Sequence, residues 1–399
     1  MSASPASIAP AVAPPVPRSL LPLALLVFFA FLPLGIPLSV LPLLLHDKLG
    51  AGTTLVGIVI GLEFVAAVLS RPLGGRIADG RGPRDAVLAG VALIVLAGAG
   101  YFAALALLGR PALAIGALLL GRVALGAGES LITTGALAWG VGMLGVRSAG
   151  RVMVWVGIAI YAAFGAGPAL GIALERRAGF GGVALLATLL PLATLPFVAL
   201  LPRTPGTGGR RVPFAQVLGR VLLPGAGLAL CGIGFGAITA FVSLLFAERG
   251  WADAAWCFTA FGAGFIGARL LFSGAPDRFG GARVAMPCLV IELAGQLLIW
   301  GGGAPWMAWL GAALTGFGYS LAFPAFGVEA VRRAPPEVRG GAMGAYVAFL
   351  DVSLGVCGPL NGWVAAHAGL PAVYLVGAAG AALAFGVALA LLRAPRAAG

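Results

Sequence analysis

Arg71-Pro-Leu-Gly-Gly-Arg-Ile-Ala-Asp79-Gly-Arg-Gly82-Pro-Arg84 has an echo in the second half of the chain: Arg269-Leu-Leu-Phe-Ser-Gly-Ala-Pro-Asp277-Arg-Phe-Gly280-Gly-Ala-Arg283. The step from arginine to aspartate is eight residues in both copies, and a glycine follows the aspartate by three in both. Outward from this pair the echo continues. Gly126-Ala-Gly128-Glu-Ser-Leu answers Gly316-Phe-Gly318-Tyr-Ser-Leu. Gly150 with Gly167-Pro168-x-x-Gly171 answers Gly341 with Gly358-Pro359-x-x-Gly362. The separations run from 190 to 198 residues, so the chain is two similar halves.

Almost all of each half is apolar. Hydrophobic residues make up 60% of the chain, charged residues 10%, and the mean hydropathy is +1.05. A soluble surface needs far more charge than this, so lipid is the solvent. A chain in lipid must satisfy its backbone internally, as helices or a closed barrel. The apolar runs are about 20 residues long and lack the dyad alternation of barrel strands, which selects helices. Two similar membrane halves point to a two-fold transporter with its site between them.

Twelve runs are expected as spans: 19–44, 54–77, 86–108, 112–141, 150–174, 181–201, 217–247, 253–275, 284–303, 306–331, 338–365 and 371–393. The expected fold is an all-α integral membrane protein, with twelve transmembrane helices in two pseudo-symmetric six-helix bundles around a central cavity. Pro202-Arg-Thr-Pro-Gly-Thr-Gly-Gly-Arg-Arg-Val-Pro213 is rich in helix breakers and divides the chain. The expected organisation is therefore a flexible tail 1–18, bundles 19–201 and 217–393 joined by a linker 202–216, and a short tail 394–399. Residues 1–18 are rich in Ser, Ala and Pro with no basic start, unlike a signal peptide.

Orientation comes from arginine. With both termini in the cytoplasm, nineteen Lys and Arg residues fall on cytoplasmic segments and five outside, while Arg122 sits within a helix. That excess is the positive-inside pattern. It also accounts for the net charge of +12 without a nucleic-acid partner, because the arginines are spread over particular loops. Ala, Gly and Arg enrichment with a single lysine, Lys48, fits a GC-rich bacterial genome, so the expected location is a bacterial inner membrane.

These motifs resemble those of the major facilitator superfamily. Gly75-x-x-x-Asp79-Gly80-Arg81-Gly82-Pro83-Arg84 is similar to its loop signature G-x-x-x-D-R-x-G-R-R, with glycine in place of the arginine after Asp79. The second copy, Asp277-Arg278-x-Gly280, keeps that arginine. Arg122-x-x-x-Gly126-x-Gly128 is similar to the helix 4 signature, and Gly167-Pro168-Ala-Leu-Gly171 with Gly165 to the core of the exporter signature on helix 5. The resemblance implies alternating access driven by an ion gradient, usually protons, with helices 1, 4, 7 and 10 lining the cavity. It implies a cytoplasmic latch in which Asp79 and its arginines meet the start of helix 11 near Arg339–Gly341, with Asp277 and Arg278 as the second copy. It also implies a monomer.

Charges inside the bilayer are costly and tend to be functional. Glu63 is central on the second span, Arg122 and Glu129 on the fourth, and Asp351 on the eleventh. Arg122 and Glu129 are seven apart, on one helical face, and are expected to pair directly or through water. A carboxyl group in a low-dielectric cavity can take up a proton at physiological pH, so Asp351, Glu129 and Glu63 are the candidate proton carriers. Arg122 keeps its charge and is the expected fixed partner. Glu292, on the ninth span with Gln296 one turn on, reads as structural.

Gly165, Gly167, Pro168, Gly171, Gly358 and Pro359 remove bulk and backbone donors, which permits close packing and bending. Phe235, Phe241, Tyr319, Phe323 and Phe326 are the candidate cavity aromatics, suited to an amphipathic organic molecule. Pro33, Gly35 and Pro37 predict a kinked first span. Cys231, Cys257, Cys288 and Cys357 lie at wide spacing in apolar runs and read as core residues; no metal or cofactor is expected. The chain lacks HExxH, GxSxG and any His/Asp cluster, which argues against an enzyme. The expected function is proton-antiport export of a small organic molecule, with proton-coupled import as the alternative.

Overall fold

The computed structural model describes residues 20–145, 148–205, 214–333 and 339–393. These residues are almost wholly helical. The first span starts with α1 (Leu21–Gly35) and continues through a tight turn, Ile36–Ser39, a single helical turn, Leu41–Leu43, and a wide turn, Leu44–Lys48. Pro33, Pro37 and Pro42 lie along it and each lacks a backbone donor, so regular helix cannot persist. The expected kink is present and extends over residues 36–48.

Next come α2 (Thr53–Gly80), α3 (Pro83–Ala106) and α4 (Pro111–Leu144). The helical run Ala149–Leu189 breaks at Gly179, whose φ of 61° and ψ of −171° interrupt the helix. It therefore contributes α5 (residues 149–178) and, with Leu190–Thr194 and Leu195–Leu200, α6 (residues 180–200). The second half has α7 (Phe214–Glu248), α8 (Ala255–Phe272), the short helix Ala275–Phe279, α9 (Gly281–Gly301), α10 (Pro305–Arg333), α11 (Arg339–Ala368) and α12 (Ala372–Arg393).

Among the described residues, ten stretches are long and apolar enough to cross a membrane. One of them, Ala149–Leu200, holds 52 residues, enough at about 1.5 Å per residue for two crossings of a core about 30 Å thick. Pro305–Arg333 spans 29 residues, but its Gly, Trp, Tyr and Ser content lowers its hydropathy. The outer surface carries Leu69, Leu120 and Leu200, exposed at 76%, 74% and 72%. Apolar side chains left facing outward on this scale belong against lipid tails.

Gly82 and Gly280 occupy matching places in the two halves and adopt matching backbones, with φ of 103° and 93°. A side chain at either position is strained, so the third residue after each aspartate is glycine. Each glycine then starts the next helix.

Two seams join the halves: α2 lies along α11, and α5 along α8. Lipid gives no hydrophobic drive for helix association, so small residues that let backbones meet carry these contacts. At the α2/α11 seam, Gly57 abuts the Gly358 carbonyl, and a methyl added at Gly61 would lie 2.8 Å from the Gly355 oxygen. The Thr53 hydroxyl donates to the Gly362 carbonyl at 2.8 Å. At the α5/α8 seam, a methyl on Gly262 would lie 3.0 Å from the Gly165 Cα, and the Thr259 hydroxyl donates to the Gly165 carbonyl at 2.9 Å.

The remaining helix 5 residues pack within their own half. A methyl at Gly167 would lie 2.6 Å from the Gly35 carbonyl carbon, Gly171 abuts the Ile36 carbonyl, and Ser39 donates to the Pro168 carbonyl at 2.9 Å. The two Gly-Pro copies thus serve different contacts. Gly167 and Pro168 meet the first span of their own half, whereas Gly358 meets α2 of the other half.

Candidate functional site

A cavity of about 1350 Å³ lies between the halves. It extends from the middle of the bundle to the end where α5 and α11 begin, reaching Ala149 and Met343. Its wall is mostly apolar, and four charged side chains interrupt it: Arg71, Glu129, Arg269 and Asp351.

Arg71 on α2 reaches across the seam to Asp351 on α11. Its Nε donates to the carboxylate at 2.5 Å, and a terminal nitrogen pairs with the same oxygen. The α2/α11 seam therefore carries a charge-assisted bond between the halves in the cavity wall. Among the four candidate proton carriers and partners, Asp351 and Glu129 face the cavity. Glu129 has one carboxylate oxygen buried without a hydrogen-bond partner among the described residues.

Glu63 and Arg122 lie behind the wall. They pair with each other, and their side chains are 2% and 0% exposed. Arg122 also donates to the carbonyls of Val59 and Ile60, each at 3.3 Å. Gly126, one turn on, abuts the Glu63 backbone. The helix 4 motif is thus the contact of α4 with α2. The expected Arg122–Glu129 pairing gives way to Arg122–Glu63 because seven residues rise about 10.5 Å along a helix. A neighbouring helix brings an acid closer.

The second copy of Arg71 is Arg269 on α8. Both are counted in the arginine excess of the cytoplasmic segments, at the ends of their expected spans, yet both face the cavity. The Arg269 residue is 6% exposed. Its guanidinium carbon lies 4.9 Å from the Phe265 ring centre and 5.9 Å from that of Phe323. Its Nε has no hydrogen-bond partner among the described residues. The eight-residue spacing to aspartate was the available signal: two turns back from the helix end carries an arginine into the membrane.

An aromatic floor closes the deep end of the cavity, away from Ala149 and Met343. Tyr161 stacks on Phe265 at 3.7 Å and packs edge-on against Phe235 at 5.6 Å. The Tyr161 hydroxyl donates to that of Tyr319 at 3.0 Å. Of the expected cavity aromatics, Phe235 and Phe323 line it. Tyr319, Phe241 and Phe326 are buried in the second half instead. Tyr319 stacks behind Phe235, at 5.8 Å between ring centres. Phe326, one turn on from Phe323, is instead fully buried against α7 at Gly227. Sequence reading missed Tyr161, Phe164 and Phe265, because the α5/α8 seam was not recognised as part of the wall.

At the loop end, Gly75 and Asp79 close α2, Gly82 supplies the turn and Arg84 opens α3. The side chains of residues 339–341, expected as the latch partner, lie outside the described residues. In the second half, Asp277 and Arg278 are exposed on the short helix, with Arg278 over the Phe279 ring at 5.2 Å. Glu329 of α10 holds the start of α9: it accepts from the Ala282 amide at 3.2 Å and from Arg333 at 2.5 Å. Sequence reading passed over Glu329, although its i,i+4 arginine was visible.

The geometry so far is two repeat-related halves, glycine-packed against each other, around one charged cavity. A family model described as Major Facilitator Superfamily matches residues 23–255 and 225–399. The chain belongs to the Major Facilitator Superfamily. It is 45% identical over 371 residues to an uncharacterized MFS-type transporter of Pseudomonas aeruginosa strain UCBPP-PA14, covering 92% of each chain. It is 42% identical over 362 residues to one from Burkholderia mallei strain SAVP1, covering 91% of this chain and 88% of that one. Its fold is similar to that of a D-xylose-proton symporter, with a TM-score of 0.72, 14% identity and coverage of 95% and 99%. As a superfamily member the chain is a multi-pass membrane transporter and not an enzyme.

Proposed function

We propose that the chain is a proton-coupled secondary transporter that exports a small amphipathic organic molecule across the bacterial inner membrane by antiport. It works as a monomer of two six-helix bundles, residues 19–201 and 217–393, with both termini cytoplasmic. In that orientation the cavity opens inward, towards the side where the arginines cluster.

The observation that carries this reading is the Arg71–Asp351 pair, which joins the two halves across the cavity wall. A proton on Asp351 removes the charge that holds Arg71, so protonation loosens a bond between the parts that must rock. Glu129 is the second proton carrier in the same cavity. Glu63 and Arg122 hold α2 against α4, so that α2 moves with its bundle. The latch at Asp79, and its second copy at Asp277 and Arg278, closes the cytoplasmic side when the cavity faces outward. Gly165 and Gly358 let the halves pivot on backbone contacts.

Import by symport is the second reading. Protonation of Asp351 loosens the bond between the halves, which lets a proton and a substrate enter the closing cycle together. Reconstituted vesicles distinguish the two. Export by antiport predicts proton flux opposite to substrate flux, and symport predicts the same direction. If the substrate moves at a rate independent of an imposed proton gradient of either sign, proton coupling is wrong.

A further inference from the structure

We infer that the substrate is an organic anion with an aromatic or bulky apolar body, its acid head held by Arg269. The inference rests on reading the cavity as the substrate site and is independent of transport direction.

The argument begins with the repeat. The separation of 191 residues that carries Gly167-Pro168 onto Gly358-Pro359 carries Ile160 onto Asp351. Arg71 and Arg269 correspond in the same way, at 198 residues. Each half thus presents an arginine across a seam to one position on the other half. At the α2/α11 seam that position is Asp351, and the pair is closed. At the α5/α8 seam it is Ile160, also in the cavity wall, and no described residue forms an ion pair with Arg269.

A guanidinium keeps its proton, so Arg269 stays a cation in a wall with few dipoles. A charge buried without a counter-ion is costly, and the rings of Phe265 and Phe323 offset only part of that. A bound carboxylate, sulfonate or phosphate monoester supplies what Asp351 supplies to Arg71, with bidentate geometry. The substrate's apolar body has a place waiting. Tyr161, Phe164, Phe235 and Phe265 form a continuous aromatic surface in the same cavity. The α5 helix gives close access as well: Gly157 faces Arg269, and a methyl there would lie 2.8 Å from a guanidinium nitrogen.

The test uses the purified full-length chain and a matched series: 1-naphthoate, 1-naphthalenesulfonate and 1-naphthyl phosphate, against neutral 1-naphthamide and cationic 1-naphthylmethylammonium. Binding is read by thermal shift and calorimetry. At least one anion is expected to bind about tenfold or more tightly than the amide. Arg269→Gln should lose that preference and Arg269→Lys should keep part of it. Ile160→Asp should build the missing ion pair and exclude the anion while leaving the protein folded, because it copies Asp351.

The inference is overturned if no anion stabilises the wild-type chain, if the amide or cation binds as well, or if Arg269→Gln binds the anion unchanged. Gradient-driven transport of the cation with failure of the anions would sink the anion assignment and leave the transport reading standing. Anion binding through Arg269 without any gradient-driven flux would do the reverse.

Discussion

The two seams that join the halves are built from matching helices but from different chemistry. Between α2 and α11, backbone meets backbone at Gly57 and Gly358, and the cavity end of the seam is a charge pair, Arg71 with Asp351. Between α5 and α8, only Gly165 and Gly262 bring the backbones close, and the cavity end is aromatic, from Tyr161 to Phe265. A strict two-fold repeat would have given two equal hinges. Here one seam carries an ion pair between the halves, and the other carries a cation over a ring surface with no ion-pair partner among the described residues. In the proposed cycle, proton and substrate take separate places in one cavity.

The largest expected effect comes from filling the tighter seam. Gly57→Leu should cost about 3 kcal/mol, the upper end for overpacking, and abolish flux, because the side chain meets backbone that cannot yield. Gly262→Leu should cost less, since its neighbours stand farther off. Melting temperatures in detergent and vesicle flux check both; equal losses would mean that the seams are equivalent.

Breaking the charge pair comes next. Arg71→Gln should cost about 1–3 kcal/mol, as for a buried partner left without its charge-assisted bond. The double variant Arg71→Gln with Asp351→Asn should recover part of that. Asp351→Asn alone mimics the protonated acid, so its flux should lose part of its dependence on pH, with Glu129 carrying the rest, while substrate binding persists. A flux–pH profile unchanged from wild type would remove Asp351 from the coupling.

Smaller effects test the aromatic seam. Tyr161→Phe removes one hydroxyl bond to Tyr319 and should cost about 0.5–1.5 kcal/mol, with little change in pH dependence. Thr53→Val and Thr259→Val each remove one hydroxyl-to-carbonyl bond, one per seam, and should cost about 1 kcal/mol apiece. Here the seams should behave alike, and unequal melting shifts would show that the Thr bonds, too, have diverged.

Much of the architecture is legible in the sequence. The apolar runs placed the helices to within a few residues, because lipid demands long unbroken hydrophobic stretches. The repeat identified the halves, and the prolines of the first span announced its kink. Of the five expected cavity aromatics, Phe235 and Phe323 line the cavity, and the candidate proton carriers Asp351 and Glu129 lie in the same wall. Arg122 pairs directly with Glu63 and not with Glu129, and spacing alone does not show that Arg71 and Arg269 enter the cavity. Sequence spacing orders residues along one helix and says little about which neighbouring helix they meet. Glu63 satisfies Arg122 from α2, across a contact that no periodicity encodes.

Composition and repeat thus settled, without further help, that the chain is a two-fold bundle of membrane helices with buried charges near its middle. Tertiary structure decided how those charges divide. Helix rotation turns Arg122 into a closed pair behind the wall and Glu129 into the cavity. Packing across the halves gives Arg71 an acid and leaves Arg269 with rings. The physical reason is that charge in a low-dielectric interior is governed by distances of a few ångströms between separate helices, and those distances exist only once the helices have packed.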